Sequence, residues 1–185
     1  MKICVYCSAA QGLQPELYEA AEAFGRSLAR RGHALVYGGF NEGIMGAVAR
    51  GTAAEGGEII AVVPEIFDRP EFTYSGCTRV IHTATMRERK AALEAEADAL
   101  AVLPGGIGTF DEFFEALVLK TLGQLDKPIG VYNIAGKCDA LRALLDASVA
   151  DGMLSEKNRA AATFYADGEA LLDAFEAELA ACDRP

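Results

Sequence analysis

Two stretches of this 185-residue chain hold residues whose types and spacing could do chemistry. One is Leu103-Pro104-Gly105-Gly106-Ile107-Gly108-Thr109-Phe110-Asp111-Glu112. Its glycines let the backbone turn tightly and bring N–H groups close to a ligand. The helix expected after it, Phe110 to Gly123, aims its N-terminus at whatever sits there and favours an anion, a phosphate above all. Glu112 falls in the first turn of that expected helix, and a phosphate cradle does not want a carboxylate beside it. Glu112 therefore suggests chemistry rather than grip, the alternative being a first-turn acid favoured by the helix dipole alone. The other stretch is Met86-Arg87-Glu88-Arg89-Lys90, at the start of a helix expected over Thr85 to Glu96. Cations there oppose the dipole and need a counter-anion, which a ligand or the surface acids Glu88 and Glu94 can supply.

The elements that carry these residues alternate in type. Apolar strands are expected at Lys2 to Cys7, Ala34 to Tyr37, Glu58 to Val63, Thr78 to His82, Ala99 to Leu103 and Ile129 to Asn133, with an edge strand at Thr163 to Ala166. Amphipathic helices are expected at Pro15 to Arg31, Ile44 to Ala54, Cys138 to Ala150 and Gly168 to Ala181. The Cys138 helix carries Leu141, Leu144, Leu145 and Val149 on one face, and Met153 to Ala162 reads as an irregular connection. Asp183-Arg184-Pro185 is expected to fray. The pattern implies an α/β fold, a Rossmann-like doubly wound parallel sheet with helices on both faces, as a single domain over residues 1–185. In such sheets ligands bind beyond the carboxyl ends of the strands. Four loops follow strands: Ser8 to Gly12, Gly38 to Gly43, Pro64 to Gly76 and Pro104 to Thr109. All should open on one edge, which makes Ser8 and Gly39 candidate contacts. Gly38-Gly39-Phe40-Asn41-Glu42-Gly43 is neither a clean dinucleotide fingerprint nor a P-loop, and its glycines can equally be turn residues.

Bulk properties narrow the partners. A net charge of −10 argues against nucleic acid, whose backbone demands a basic face. No signal peptide and no run of membrane-spanning length is present, which implies a cytoplasmic protein and no membrane partner. The 5 cysteines read as reduced thiols, and Cys4-x-x-Cys7 as buried thiols within a strand rather than a metal or redox pair. His33 and His82 are isolated.

Pro104-Gly105-Gly106-Ile107-Gly108-Thr109-Phe110-Asp111-Glu112 resembles the PGGxGTxxE signature of the LOG ("Lonely Guy") family. These are cytokinin riboside 5′-monophosphate phosphoribohydrolases, often called possible lysine decarboxylases. Met86 to Lys90 is similar to the family's Met-x-x-Arg-Lys signature, Val36 to Gly46 to its first glycine loop, and Lys127 to Val131 to its later Lys-Pro strand. The resemblance implies a hydrolase that cleaves the N-glycosidic bond of a nucleoside 5′-monophosphate, AMP or an N6-prenylated AMP. It implies no metal, no organic cofactor and a homodimer. Arg89 and Glu112 fall on the family's catalytic pair. Lys90, Gly105, Gly106, Gly108 and Thr109 fall on nucleotide contacts, and Glu71 on a substrate-contacting Glu; Met86 is carried as a further binding candidate. On this reading Glu112 stabilises positive charge on the sugar or orients water, and Arg89 holds the ribose or phosphate and keeps the carboxylate ionised. The family's longer glycine run is here Gly38-Gly39-Phe40, and its helix tryptophan is missing from a chain with Trp 0, differences that bear on base specificity. Two rival readings are a nucleotide-binding carrier without turnover and a literal lysine decarboxylase. The latter ordinarily needs a pyridoxal phosphate Schiff base, for which no convincing lysine-centred site stands out.

Overall fold

Strands that are apolar at consecutive positions can meet water on neither face, so helices must cover both. A computed structural model, describing residues 1–69 and 71–182, shows how. β1 (Lys2–Tyr6), β2 (Ala34–Tyr37), β3 (Ile59–Pro64), β4 (Arg79–Thr83), β5 (Ala99–Val102), β6 (Ile129–Tyr132) and β7 (Thr163–Tyr165) form one parallel sheet. The strand order is β4-β3-β2-β1-β5-β6-β7. The helices are α1 (Pro15–Arg30), α2 (Gly43–Ala54), α3 (Met86–Glu96), α4 (Ile107–Thr121), α5 (Asp139–Ala150), the short α6 (Glu156–Arg159) and α7 (Gly168–Cys182). No described helix is long and apolar enough to cross a membrane.

Side chains alternate across each strand. Ile3, Val5 and Cys7 pack with Leu17, Phe24 and Leu28 of α1, Ile44 of α2, and Leu172 and Phe175 of α7. Cys4 and Tyr6 point the other way, to Leu93 of α3, Phe113 and Leu117 of α4, and Leu141 and Leu145 of α5. Cys4 and Cys7 thus lie on opposite faces of the sheet, which excludes a shared metal or a disulfide between them. Burial pushes both thiols well above the ordinary value. Among the described residues Cys4, Cys7, Cys77 and Cys138 are free.

The chain begins at the centre of the sheet, builds outward to β4, and returns to lay β5 beside β1. Ile3 pairs with Leu35 on one side and with Ala99 on the other. The loops leaving β1 and β5 diverge at this switch point and leave a crevice there.

Several boundaries differ from the sequence expectation, one of them consequentially. α4 starts at Ile107, not Phe110, with Gly106 as its N-cap. Glycine costs a helix backbone entropy, and Gly108 carries that cost in a first turn held by the packing of Phe113, Ala116 and Leu117 further on. Glu112 therefore sits in the second turn, beyond the reach of a purely dipolar explanation. Met153 to Ala162 is not wholly irregular: Ser155 caps α6, its Oγ accepting from Asn158 N–H at 3.1 Å. On α5, Leu141 and Leu145 are buried but Leu144 is 55% exposed. The expected fraying of Asp183-Arg184-Pro185 lies outside the described residues.

This burial pattern sets where truncation hurts. Leu100→Ala, on the central strand β5, should cost about 2–5 kcal/mol in urea unfolding, while Leu144→Ala should cost no more than about 0.5 kcal/mol.

Candidate active site

Arg89 and Glu112 are both 5% exposed, and no other pair of opposite charges among the described ion pairs is buried on both sides. Arg89 projects from the first turn of α3, whose start is fixed by Thr85: its Oγ1 accepts from Glu88 N–H at 3.2 Å. Glu88 in turn accepts from Ala84 N–H at 2.9 Å, so that carboxylate is a cap and not the partner of Arg89. Arg89 instead donates through Nη1 to Glu112 Oε1 at 2.9 Å and through Nε to the Val62 carbonyl at 3.2 Å. Its Nη2 rests against Gly38, where a Cβ would lie 2.0 Å away. Gly38 is thus needed for the guanidinium to occupy this position, a role that its reading as a turn residue does not reveal.

Arg89 Nη2 and Glu112 Oε2 take no partner among the described residues, and neither is fully enclosed. One donor and one acceptor therefore face a cleft of about 340 Å³ lined by Cys7, Ser8, Ala9, Phe40, Met45, Phe67, Met86, Arg89, Gly106, Gly108, Thr109 and Glu112. Burial pushes the Glu112 carboxyl above the ordinary carboxylate value, with Arg89 pulling against it and Asp111 adding to it. Arg89 thus acts in the expected direction, favouring the ionised carboxylate, while burial works against it.

The glycine stretch serves two purposes. Gly105 makes room for Thr109, whose Oγ1 would lie 2.0 Å from a Cβ at 105. Gly106 and Gly108 are different: a Cβ on either would meet nothing within 4 Å, and neither has a positive φ. The chain itself does not require glycine there, and both line the cleft. The first backbone bond into α4 is Phe110 N–H to Gly106 at 3.0 Å, which leaves the N–H groups of Ile107, Gly108 and Thr109 at an open helix end. A second cleft of about 550 Å³ shares Ser8 and Gly106 with the first and continues past Gly105 to Leu13, Ile44 and Lys137.

Other candidates stand apart. Lys90 is drawn to Asp111, at 3.0 Å, and to Glu115, and these carboxylates raise its pKa; it lines neither cleft. Gly39, at φ +90°, is a turn: its carbonyl accepts from Tyr37 Oη at 3.1 Å and from Tyr74 N–H at 3.0 Å. Glu71 is exposed and lines neither cleft, but its neighbour Phe72 stacks on the cleft residue Phe40 with ring centroids 5.7 Å apart. Phe40 also meets Phe67 edge-on at 5.2 Å, giving the smaller cleft an apolar wall. The sequence signal for Phe40 was its place directly after Gly38-Gly39. Lys137, which lines the larger cleft, is not among the sequence candidates, although its loop follows a strand as the four recognised loops do. No cluster of metal-ligating side chains occurs among the described residues.

Residues 45–175 match the family described as possible lysine decarboxylase. The chain is 37% identical over 158 residues to a probable cytokinin riboside 5′-monophosphate phosphoribohydrolase of Oryza sativa subsp. japonica, covering 85% of this chain and 70% of the relative. It is 34% identical over 158 residues to a cytokinin riboside 5′-monophosphate phosphoribohydrolase of Arabidopsis thaliana, covering 85% and 74%. Among solved structures, the molybdenum cofactor binding protein of the phototrophic bacterium Rippkaea orientalis superposes with a TM-score of 0.75 at 19% identity, over 96% of each chain. The molybdenum cofactor carrier protein of Chlamydomonas reinhardtii gives 0.73 at 22% identity, over 97% of this chain and 98% of that one. At these identities the structural likeness is one of fold.

The balance between burial and Arg89 can be read directly. In a carbon NMR titration the Glu112 carboxyl should show a midpoint above the ordinary carboxylate range. Arg89→Met removes the one strong influence favouring charge, so the midpoint should climb further; a fall would contradict the assignment.

Proposed function

This chain belongs to the possible lysine decarboxylase (LOG) family, and from that premise we propose that it hydrolyses the N-glycosidic bond of a nucleoside 5′-monophosphate, AMP or N6-prenylated AMP. Free base and ribose 5-phosphate are the products. The observation that carries the reading is the buried Arg89–Glu112 pair, which turns one free donor and one free acceptor into a cleft bordered by an open helix end.

The chemistry follows from that arrangement. As the bond to the base breaks, its electron pair leaves with the base and positive charge builds on the ring oxygen and anomeric carbon of the ribose, as in other glycoside hydrolysis. The ionised Glu112, poorly solvated, is worth more beside that charge than a carboxylate in water. Its raised pKa also suits it to accept a proton from the attacking water, whose oxygen bonds to the anomeric carbon. The proton passes in the end to the departing base. Arg89 Nη2 is left to hold a ribose or phosphate oxygen, and a guanidinium does so without losing its charge. The N–H groups of the first turn of α4 seat the 5′-phosphate, with Gly106 and Gly108 giving it room. Ser8 and Thr109 border the same space, and Met86, Phe40 and Phe67 offer the base an apolar wall.

A homodimer fits the surface of α4. Ile107, Phe110, Val118 and Leu122 lie on one side of this helix at 89%, 38%, 54% and 66% exposure, an apolar row that a second copy would cover. A nucleotide substrate also fits a cytoplasmic enzyme.

Incubating the protein with AMP and with isopentenyladenosine monophosphate, and separating the products by chromatography, tests the reading. Glu112→Gln should lower base release by about 10³-fold while AMP binding by calorimetry persists. Binding of AMP by the unaltered protein with no release from either nucleotide would favour a carrier instead. In light scattering the chain should run at twice its 19.6 kDa mass, and Val118→Asp should shift it towards the monomer.

A further inference from the structure

The larger cleft is not explained by the buried pair, and its lining is chemically selective. Ser8, Gly12, Leu13, Gln14, Leu17, Ile44, Pro104, Gly105, Gly106 and Lys137 include a cation and no carboxylate, in a chain with 27 acidic and 17 basic residues. The other cations considered are neutralised: Arg89 in the smaller cleft by Glu112, and Lys90 outside both clefts by Asp111 and Glu115. Lys137 has no side-chain partner among the described residues. The acid next to it in sequence, Asp139, is already taken, accepting from Asn133 Nδ2 at 2.8 Å and from Arg142 Nη2 at 2.8 Å.

The loop that presents Lys137 is held firmly in an unfavourable shape. It leaves β6 at the same carboxyl edge of the sheet as the other site loops and makes a 3₁₀ turn at Ile134–Gly136. Ala135 within it has φ +50°, the one described non-glycine residue with positive φ. Asn133 clamps the turn, its Oδ1 accepting from Cys138 N–H at 2.7 Å. Strain of this kind persists where surrounding contacts over-determine it, and it clusters at ligand-holding positions.

We propose that the larger cleft is the phosphate side of the site and that Lys137 is the binding residue that selects a 5′-phosphorylated nucleoside over a free nucleoside. The inference rests on the hydrolase reading above, since it takes the sugar to lie at Glu112 and the 5′-phosphate, seated on the first turn of α4, to face the larger cleft across Ser8 and Gly106, the residues common to both clefts. A flexible ammonium suits this task, supplying a point charge to phosphate from the rim. Lys137 has no part in bond cleavage.

Steady-state kinetics of Lys137→Ala and Lys137→Arg with AMP and with adenosine test this. Lys137→Ala should raise KM for AMP about tenfold with kcat within twofold, leave adenosine turnover unchanged, and weaken inhibition by ribose 5-phosphate to a similar degree. Lys137→Arg should recover most of the loss, and added salt should shrink the difference between the proteins. An unchanged KM for AMP in Lys137→Ala, with the unaltered enzyme active, overturns the role of Lys137 and leaves the hydrolase standing. If the unaltered protein releases no base at all, the hydrolase reading fails, and calorimetry with ribose 5-phosphate then decides the subsite alone. Binding lost in Lys137→Ala supports it; equal binding, or none to either protein, overturns it.

Discussion

A guanidinium and a carboxylate 2.9 Å apart, each 5% exposed, set the terms for the rest of this molecule. Removing two charges from water costs several kcal/mol each, of order, and close contact repays this only when geometry is good. Here the geometry is supplied from four directions. α3 brings the arginine, α4 the glutamate, β3 a carbonyl for Nε, and the turn after β2 a glycine thin enough to let the guanidinium lie flat. Loss of any one contribution leaves a buried charge short of a partner or out of place. Such an arrangement is a poor way to gain stability, which is why a function for it is the more economical account.

The sheet explains how these four pieces come to meet. Strand order reverses between β1 and β5, so the loops leaving them part and leave space above the strand ends. α3 and α4 pack on the same face, with Leu93 and Phe113 in one apolar cluster, and this places Arg89 and Glu112 opposite each other although 23 positions separate them in sequence. The apolar packing thus sets the distance across which the polar contact forms.

Much of this was legible in the sequence. The strands could be read because burial on both faces leaves uninterrupted apolar runs, and the pairing of Arg89 with Glu112 could be expected from two signatures found together. What escaped was decided by three-dimensional contact. That α4 begins at Ile107 depends on the packing of its later turns, which carries a glycine in the first. Gly38 matters because Arg89 happens to pass over it, and no local pattern encodes that. Ala135 carries no mark of its positive φ, since the Asn133 clamp that holds it is a tertiary feature of the loop. The pull of Arg89 on Glu112 was foreseeable from charge alone, whereas the stronger push from desolvation required knowing how little water reaches the carboxyl.

Gly108 shows what such a site asks of selection. It occupies the first turn of α4 with open space where a side chain would go, so the folded chain gains nothing from its being glycine. Alanine there would strengthen the helix, by up to about 1 kcal/mol on propensity. A search for sturdier variants would therefore be drawn to this position and would fill part of the cleft that Gly108 lines. On the hydrolase reading, the molecule gives up some robustness at α4 so that a small anion can rest against bare backbone, and the tension between durability and activity falls on a single missing methyl group.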